Sequence, residues 1–207
     1  MKKVCIYHSK CNDGLGAAYA MHKAHPDTIF IAGVYGKDPE YDQISEFTDV
    51  YLVDFSYKAD AMRELVIKSH SVTVIDHHKT AEAELKELFE SNTIDGIFDM
   101  DKSGAVLAWE WFHPETEVPQ VLLHIQDRDL WKFEIPNTRE ITAALGCNDR
   151  DHETWFNLLD SVVLDDLISD GAAIEKWMAF QIKQQVKGAQ EINVKGFDGV
   201  YINSNPV

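Results

Sequence analysis

Short apolar runs alternate with longer amphipathic stretches along the first 90 residues. Four runs rich in β-branched and aromatic residues predict strands near residues 3–7, 29–34, 50–54 and 72–75. Three stretches with helical spacing of apolar residues predict helices near residues 15–24, 58–69 and 80–90. This alternation predicts βαβ units, and therefore an α/β fold with a parallel sheet flanked by helices.

The second half of the chain has a different pattern. Ser103 has the character of a helix N-cap before residues 105–112, and contact with a phosphate is the alternative role for its hydroxyl. From residue 138 onward the apolar spacing is helical, with a long amphipathic stretch over residues 172–186. Residues 192–203 predict a β-hairpin turning at Gly196 and at Asp198-Gly199.

Length and composition favour one main domain with an appendage. The chain has 207 residues, of which 45% are hydrophobic, enough to fill a core. No stretch approaches the ~18 apolar residues of a membrane span, so we expect no membrane partner. The three cysteines, Cys5, Cys11 and Cys147, show no disulfide framework, which favours a cytoplasmic location.

The charge balance restricts the class of partner. There are 35 acidic and 19 basic residues, for a formal net charge of −16. Binding to long duplex nucleic acid relies on clusters of Lys and Arg, so such a partner is disfavoured. A small phosphorylated substrate or a short oligonucleotide fits this charge better. The oligomeric state is left open.

Candidate metal ligands follow the predicted strands. Asp76-His77-His78 comes directly after the apolar run at residues 72–75, His8 follows the first run, and Asp54 follows the third. Because ligands bind outside the carboxyl ends of parallel strands, these side chains are expected to converge in one crevice. Convergent carboxylate and imidazole groups predict a metal centre.

Four ordered motifs resemble those of the DHH phosphoesterase family over roughly residues 1–190. They are His8-x-x-Cys11-x-Asp13-Gly14, the isolated Asp54, Asp76-His77-His78, and Asp127-x-Asp129-Leu130-Trp131. The resemblance implies a DHH domain over residues 1–186. It also implies that residues 187–207 are a linker and the start of an incomplete C-terminal substrate-binding domain. The implied activity is a two-metal, usually manganese-dependent, phosphoesterase acting on small phosphorylated molecules, cyclic dinucleotides or short oligonucleotides.

The resemblance also implies roles for individual residues. Asp54 would bridge two ions, and Asp76 and His78 would be catalytic, either orienting a ligating imidazole or contacting the phosphate. Asp127 is preferred to Asp129 as the last ligand, because it comes where the apolar helix is expected to end. One ion would be held by His8, Cys11 and Asp54, and the other by Asp13, Asp54, His77 and Asp127.

Cys11 departs from the family pattern, which commonly has an acidic residue at this position. A thiolate is a softer ligand than a carboxylate and shifts the metal preference away from Mn²⁺ and Mg²⁺ towards Zn²⁺ or Fe²⁺. Two Mn²⁺ ions are expected from the resemblance, with Mg²⁺, Zn²⁺ or Fe²⁺ as alternatives. Two hypotheses follow. The first is a phosphoesterase that uses a metal-activated water, and the second is a non-catalytic metal- and nucleotide-binding module derived from the same fold.

Overall fold

Five parallel strands form the central sheet, and the first four overlap the apolar runs of the sequence. The computed structural model describes residues 1–202, apart from the side chain of Val194. The strands of the sheet are β1 (Lys2–His8), β2 (Ile29–Gly33), β3 (Thr48–Val53), β4 (Ser71–Asp76) and β5 (Asp95–Phe98). The helices are α1 (Asn12–Ala24), α2 (Ala59–Lys68), α3 (Lys79–Glu90), α4 (Gly104–Phe112), α5 (Gln120–Asp129), α6 (Thr138–Gly146), α7 (His152–Ser161) and α8 (Leu164–Val186).

The strand order places a switch point in the middle of the sheet. The order is β2-β1-β3-β4-β5. The chain passes from β1 outward to β2 and then returns to the other side of β1 to form β3. In open parallel sheets, a crevice opens outside the carboxyl ends of the two strands where the order reverses. Here those strands are β1 and β3, paired from Lys2 opposite Thr48 to Tyr7 opposite Val53.

Alternating side chains of the strands build two cores. Val4 and Ile6 pack on the face covered by α2 and α3, whereas Cys5 and Tyr7 pack on the face covered by α1 and the helices from α4 onward. Both faces are therefore buried, which explains why the strands read as continuous apolar runs. On the second face the backbones of α8 and α6 are in close contact at Gly171. A Cβ added at this glycine would lie 1.8 Å from the carbonyl oxygen of Glu140, so a larger residue would not fit.

A two-stranded antiparallel hairpin, β6 (Gln190–Val194) and β7 (Phe197–Tyr201), follows α8. Its turn is at Lys195-Gly196, where both residues have positive φ. This is the backbone required by a tight two-residue hairpin turn. The prediction of a second turn at Asp198-Gly199 was wrong, because those residues lie within β7. The predicted end of the hairpin at Asn203 lies outside the described residues.

The predicted α/β fold with its helical segment and hairpin is confirmed. The fifth strand was missed because it is short and carries Asp95 and Gly96, both poor strand formers. The division of the chain at residue 187 stays a prediction. None of the helices described between residues 1 and 202 combines the length and apolar character needed to cross a membrane.

Candidate metal centre

The predicted ligands meet at the carboxyl end of the sheet. His8 is the last residue of β1, Asp54 follows β3 directly, and His77 follows the last residue of β4. Because the three strands are parallel and in register, their ends lie side by side. Asp13 enters the same crevice from the first turn of α1. Residues from four segments are thus brought together.

Asp54 lies between two imidazoles in a buried position. Its Oδ1 is 3.1 Å from His77 Nε2, and its Oδ2 is 3.4 Å from His8 Nδ1. Neither contact has hydrogen-bond geometry, so both Asp54 oxygens and His8 Nδ1 are buried with no hydrogen-bond partner among the described residues. The side chain of Asp54 is only 1% exposed. A buried carboxylate in this condition is costly unless a cation compensates it.

His77 is surrounded by carboxylates. Its Nε2 atom is 3.1 Å from Asp54, 3.7 Å from Asp13 and 3.7 Å from Asp129. Burial lowers the pKa of His77, but these carboxylates raise it by more, to about 9. Burial likewise raises the pKa of Asp54, yet the imidazoles of His77 and His8 bring it below its usual value. A metal ion would take the place of the imidazole proton, because a ligating histidine must be neutral.

The N-terminus of α4 holds the carboxylate of Asp13. The backbone N–H of Gly104 donates to Oδ2 (2.6 Å) and that of Ala105 donates to Oδ1 (3.0 Å). Even so, burial and the nearby carboxylates of Asp54 and Asp129 raise the pKa of Asp13 well above its usual value. Asp13 is thus oriented by the helix and destabilised as an anion until a cation neutralises the cluster.

Cys11 belongs to the same cluster. One ligand atom from each of His8, Cys11 and Asp54 lies within 4.8 Å of the others. Burial and the charges of Asp54 and Asp13 raise the pKa of the Cys11 thiol to about 12. The thiol is therefore protonated in the free protein, and a bound cation would be needed to stabilise the thiolate.

Asp76 positions His78. The carboxylate of Asp76 is fully buried, and its Oδ1 lies 2.6 Å from His78 Nδ1 and accepts from His77 N–H (2.8 Å). Its Oδ2 accepts from the hydroxyl of Ser56 (2.7 Å). The hydrogen bond to Asp76 is the main cause of a raised pKa for His78. With both oxygens occupied, Asp76 orients an imidazole and does not face the crevice.

The structure places Asp129, and not Asp127, in the cluster. Asp127 accepts hydrogen bonds from Glu134 N–H (2.8 Å), Ile135 N–H (3.1 Å) and the Thr138 hydroxyl (2.6 Å). The sequence-based preference for Asp127 is therefore corrected. α5 ends at Asp129, two residues later than expected, and two residues turn a helix by about 200°. Asp127 thus faces the interior, while Asp129 faces His77.

Ser103 is a buried cap. Its hydroxyl accepts from Val106 N–H at the start of α4, as predicted, and the residue is fully buried. Gly104, next to it, was missed by sequence reasoning. A Cβ there would lie 2.4 Å from Cβ of Asp54, so only glycine allows α4 to approach the cluster. Ser56, which donates a hydrogen bond to Asp76, was also missed. A single glycine or serine belongs to no motif that would mark it in the sequence.

The donor set fits divalent cations. Three groups of ligand atoms overlap, and in each the atoms lie within 4.8 Å of one another. Carboxylate and imidazole donors together suit Mn²⁺, Fe²⁺ and Zn²⁺. Neither carboxylate oxygen of Asp54 has a hydrogen-bond partner among the described residues, so both are free to ligate a cation. The three groups are His8, Cys11 and Asp54; Asp54, His77 and His78; and Asp13, His77 and Asp129.

Comparison with known proteins adds relatives but no function. No protein-family model matches the chain. An uncharacterized protein of Acanthamoeba polyphaga mimivirus is 31% identical over 223 aligned positions, which cover 97% of this chain and 51% of that protein. The chain therefore spans about half the length of this relative. An uncharacterized protein from Helicobacter pylori has a similar crystal structure, with a TM-score of 0.50 at 10% identity over 96% of this chain and 74% of that one. This second likeness concerns the fold alone.

Proposed function

We propose that this protein is a divalent-metal-dependent phosphoesterase that hydrolyses a small phosphoester, a nucleotide or a short oligonucleotide. The observation that carries the proposal is the buried carboxylate of Asp54, whose two unpartnered oxygens each lie beside an imidazole. A carboxylate in this position can be shared by two cations. The resemblance of the motifs to the DHH phosphoesterase family supports the same reaction class, and membership of that family is part of the proposal.

The proposal divides the ligands between two ions. His8, Cys11 and Asp54 would hold the first, and Asp13, Asp54, His77 and Asp129 the second. When bound, two such cations supply a water of lowered pKa and neutralise charge on the phosphoryl oxygens. We expect Mn²⁺ from the carboxylate and imidazole donors. The Cys11 sulfur extends the choice to Zn²⁺ or Fe²⁺, with Mg²⁺ the least suited to a thiolate.

His78 is the residue best placed to act on substrate. Its Nδ1 is engaged by Asp76, which leaves Nε2 for the crevice. The hydrogen bond from Asp76 raises the pKa of His78, and this favours the imidazolium form. An imidazolium can donate to a phosphoryl oxygen and stabilise its charge in the transition state. Asp76 acts through His78 as a positioning residue.

The proposal also includes a cytoplasmic location for the protein. All three cysteines are free thiols, and Cys11 would have to stay reduced to bind a cation. A reducing cytoplasm meets that requirement.

Elemental analysis of the purified protein, combined with a rate on a short single-stranded RNA with added Mn²⁺, tests the proposal. We expect about two equivalents of metal and manganese-dependent turnover. The matched control is Asp101→Asn, an exposed carboxylate with no side-chain partner among the described residues. Metal and nucleotide binding without turnover would instead support the non-catalytic binding module.

A further inference from the structure

A cleft of about 840 Å³ opens beside the candidate metal centre. Asp13 and Asp129 of the cluster form part of its lining, and α6 and α8 form another part, including Trp177. This volume lies in the range of about 300–1,000 Å³ found for small-molecule sites. It is larger than a single phosphate requires, so the cleft has space for more of a substrate than its reacting group.

Four cations of the cleft have no acidic partner. Lys10, Arg128, Arg139 and Arg150 line it and are exposed, and none of them forms an ion pair within the described residues 1–202. Arg63, by contrast, pairs with two carboxylates on α2 and α3. Arg150 Nη1 donates to the backbone carbonyl of Lys10, and no carboxylate pairs with the three guanidinium groups. Guanidinium groups without a carboxylate partner can bind phosphate through two parallel hydrogen bonds.

A strained loop presents an aromatic side chain to the same cleft. Trp131 is 69% exposed and has a φ of +57°, and Phe133 in the same loop has a φ of +53°. Such backbone is costly for residues other than glycine and persists only where other contacts hold it. Asp127 provides those contacts, since its side chain and its backbone carbonyl together accept four N–H groups from residues 132–135.

The loop also brings cations and aromatic rings together. The guanidinium of Arg128 lies 5.0 Å from the ring centroid of Trp131, and that of Arg139 lies 3.8 Å from the ring centroid of Phe133. Trp177, 55% exposed, lines the cleft from α8. An exposed indole beside guanidinium groups that have no carboxylate partner matches the two parts of a nucleotide, because a base offers a π-face and its backbone offers phosphates.

We infer that this cleft is a nucleotide-recognition subsite. Trp131 stacks on a base, and Arg128, Arg139 and Arg150 bind the phosphates next to the one at the metal centre. The inference rests on the proposed function and narrows its substrate class to single-stranded nucleotides. Bases of a duplex are already stacked on each other, so their faces are closed to Trp131. A phosphoester without a base would leave the indole unused.

Two trinucleotides that differ only in their bases provide the test. One carries normal bases and the other has abasic sugars, with the same phosphates. Phosphorothioate versions measure binding by calorimetry, and natural versions measure kcat and KM with Mn²⁺. We expect the unaltered protein to bind the base-bearing probe at least about tenfold more tightly, the scale of one base–aromatic stack.

Variants of the loop assign the effect to residues. Trp131→Ala should remove most of the preference, raising KM for the base-bearing probe by a larger factor than for the abasic probe. Trp131→Phe should retain much of the preference because it keeps a π-face. Arg139→Gln should weaken the binding of both probes by similar factors. The salt dependence of binding should also show about one counterion fewer released. The matched control is Trp111→Ala, a partly exposed tryptophan outside the cleft.

Equal affinity of the unaltered protein for both probes would overturn the inference. A Trp131→Ala variant whose affinity falls by the same factor for both probes would overturn it as well. The probe comparison itself does not depend on any variant folding. Equal hydrolysis of both probes would contradict the subsite while leaving the phosphoesterase in place. Preferential binding without hydrolysis would support the subsite and refute the proposed function.

Discussion

At the scale of single residues, Asp54 has an unusual backbone conformation within the candidate centre. Its φ of +52° is rare for a residue with a Cβ, and it directs the carboxylate between His8 and His77. Backbone of this kind is typically found at functional sites. The sequence indicated Asp54 by its position after an apolar run. The left-handed turn could not be read from the sequence, because it depends on contacts with β4 and α4.

Replacing the shared carboxylate should affect both ions. We expect Asp54→Asn to lower metal content to less than one equivalent and to reduce turnover by more than 100-fold. That loss would exceed the roughly tenfold to 100-fold effect of residues that only support ligands. Elemental analysis and Mn²⁺-dependent kinetics measure both quantities, with Asp101→Asn as the control. A variant that kept its activity within about tenfold would contradict the bridging role.

Asp127 and Asp129 should separate into a structural and a metal-binding residue. Asp127→Asn replaces one of two buried oxygens that together accept three hydrogen bonds with an NH₂ donor, so we expect a loss of about 1–3 kcal/mol in the free energy of unfolding with metal content retained. Asp129→Asn should leave stability nearly unchanged and lower metal affinity. Urea unfolding and metal titration of both variants give the comparison. The reversed pattern would restore Asp127 as the ligand.

The contribution of Asp127 to stability should depend on pH. Burial raises its pKa, but the hydrogen bonds from Thr138, Glu134 and Ile135 bring it below its usual value in the folded protein. Because the pKa of Asp127 is lower in the folded than in the unfolded state, its ionised form stabilises the fold at pH values above the unfolded-state pKa of about 3.9. This stabilisation is lost as the pH falls through the folded-state pKa. The difference in unfolding free energy between the unaltered protein and Asp127→Asn should therefore be constant from neutral pH to about pH 5 and shrink below pH 4. A difference that grew on acidification would exclude this mechanism.

At the scale of elements, the first turn of α4 supports the centre. Its N–H groups hold Asp13, and Gly104 lies against the side chain of Asp54. A helix N-terminus favours a carboxylate in this position because its free N–H groups and its dipole are both positive. The position of α4 and the geometry of the ligands are therefore coupled.

Gly104→Ala tests that coupling. The added Cβ would lie 2.4 Å from Cβ of Asp54, so α4 or the carboxylate must move. We expect metal affinity to fall at least tenfold and stability to fall by about 1–3 kcal/mol, as overpacking of a dense site does. Metal titration and thermal unfolding provide the two readouts.

Gly146→Ala is the matched control for this change. Its added Cβ would lie 3.6 Å from the nearest atom, at an ordinary contact distance, so it should be tolerated. Equal metal affinity in both glycine variants would contradict the coupling between α4 and the centre.

The elements differ in how far local sequence defined them. β1 and β4 were predicted within one residue of their bounds and β3 within two, because both faces of each strand are buried and its pattern is strong. β5 was missed, since its four residues are held by pairing with β4 and not by their own propensity. The end of α5 was placed two residues early, and for that reason Asp127 was preferred to Asp129 as a candidate ligand.

At the scale of the whole molecule, the net charge of −16 and the clustered carboxylates lead us to expect that metal binding stabilises the fold. We expect added Mn²⁺ to raise the melting temperature and a chelator to lower it, because a ligand at 100 times its Kd stabilises by about 2.7 kcal/mol per site. Asp54→Asn should abolish most of the shift. A shift of the same size in that variant would mean that Mn²⁺ binds elsewhere on the acidic surface.

The sequence by itself determined the α/β class, the runs that become strands, and most of the side chains at their ends. These features are local, since they follow from residue type and spacing. Only the tertiary structure decided that β1 and β3 adjoin at the switch point, that Asp129 is in the cluster, and that Gly104 lies against Asp54. Such features depend on contacts between distant segments. Asp13 and Gly104, for example, are 91 residues apart in the chain, and no local pattern records their hydrogen bond.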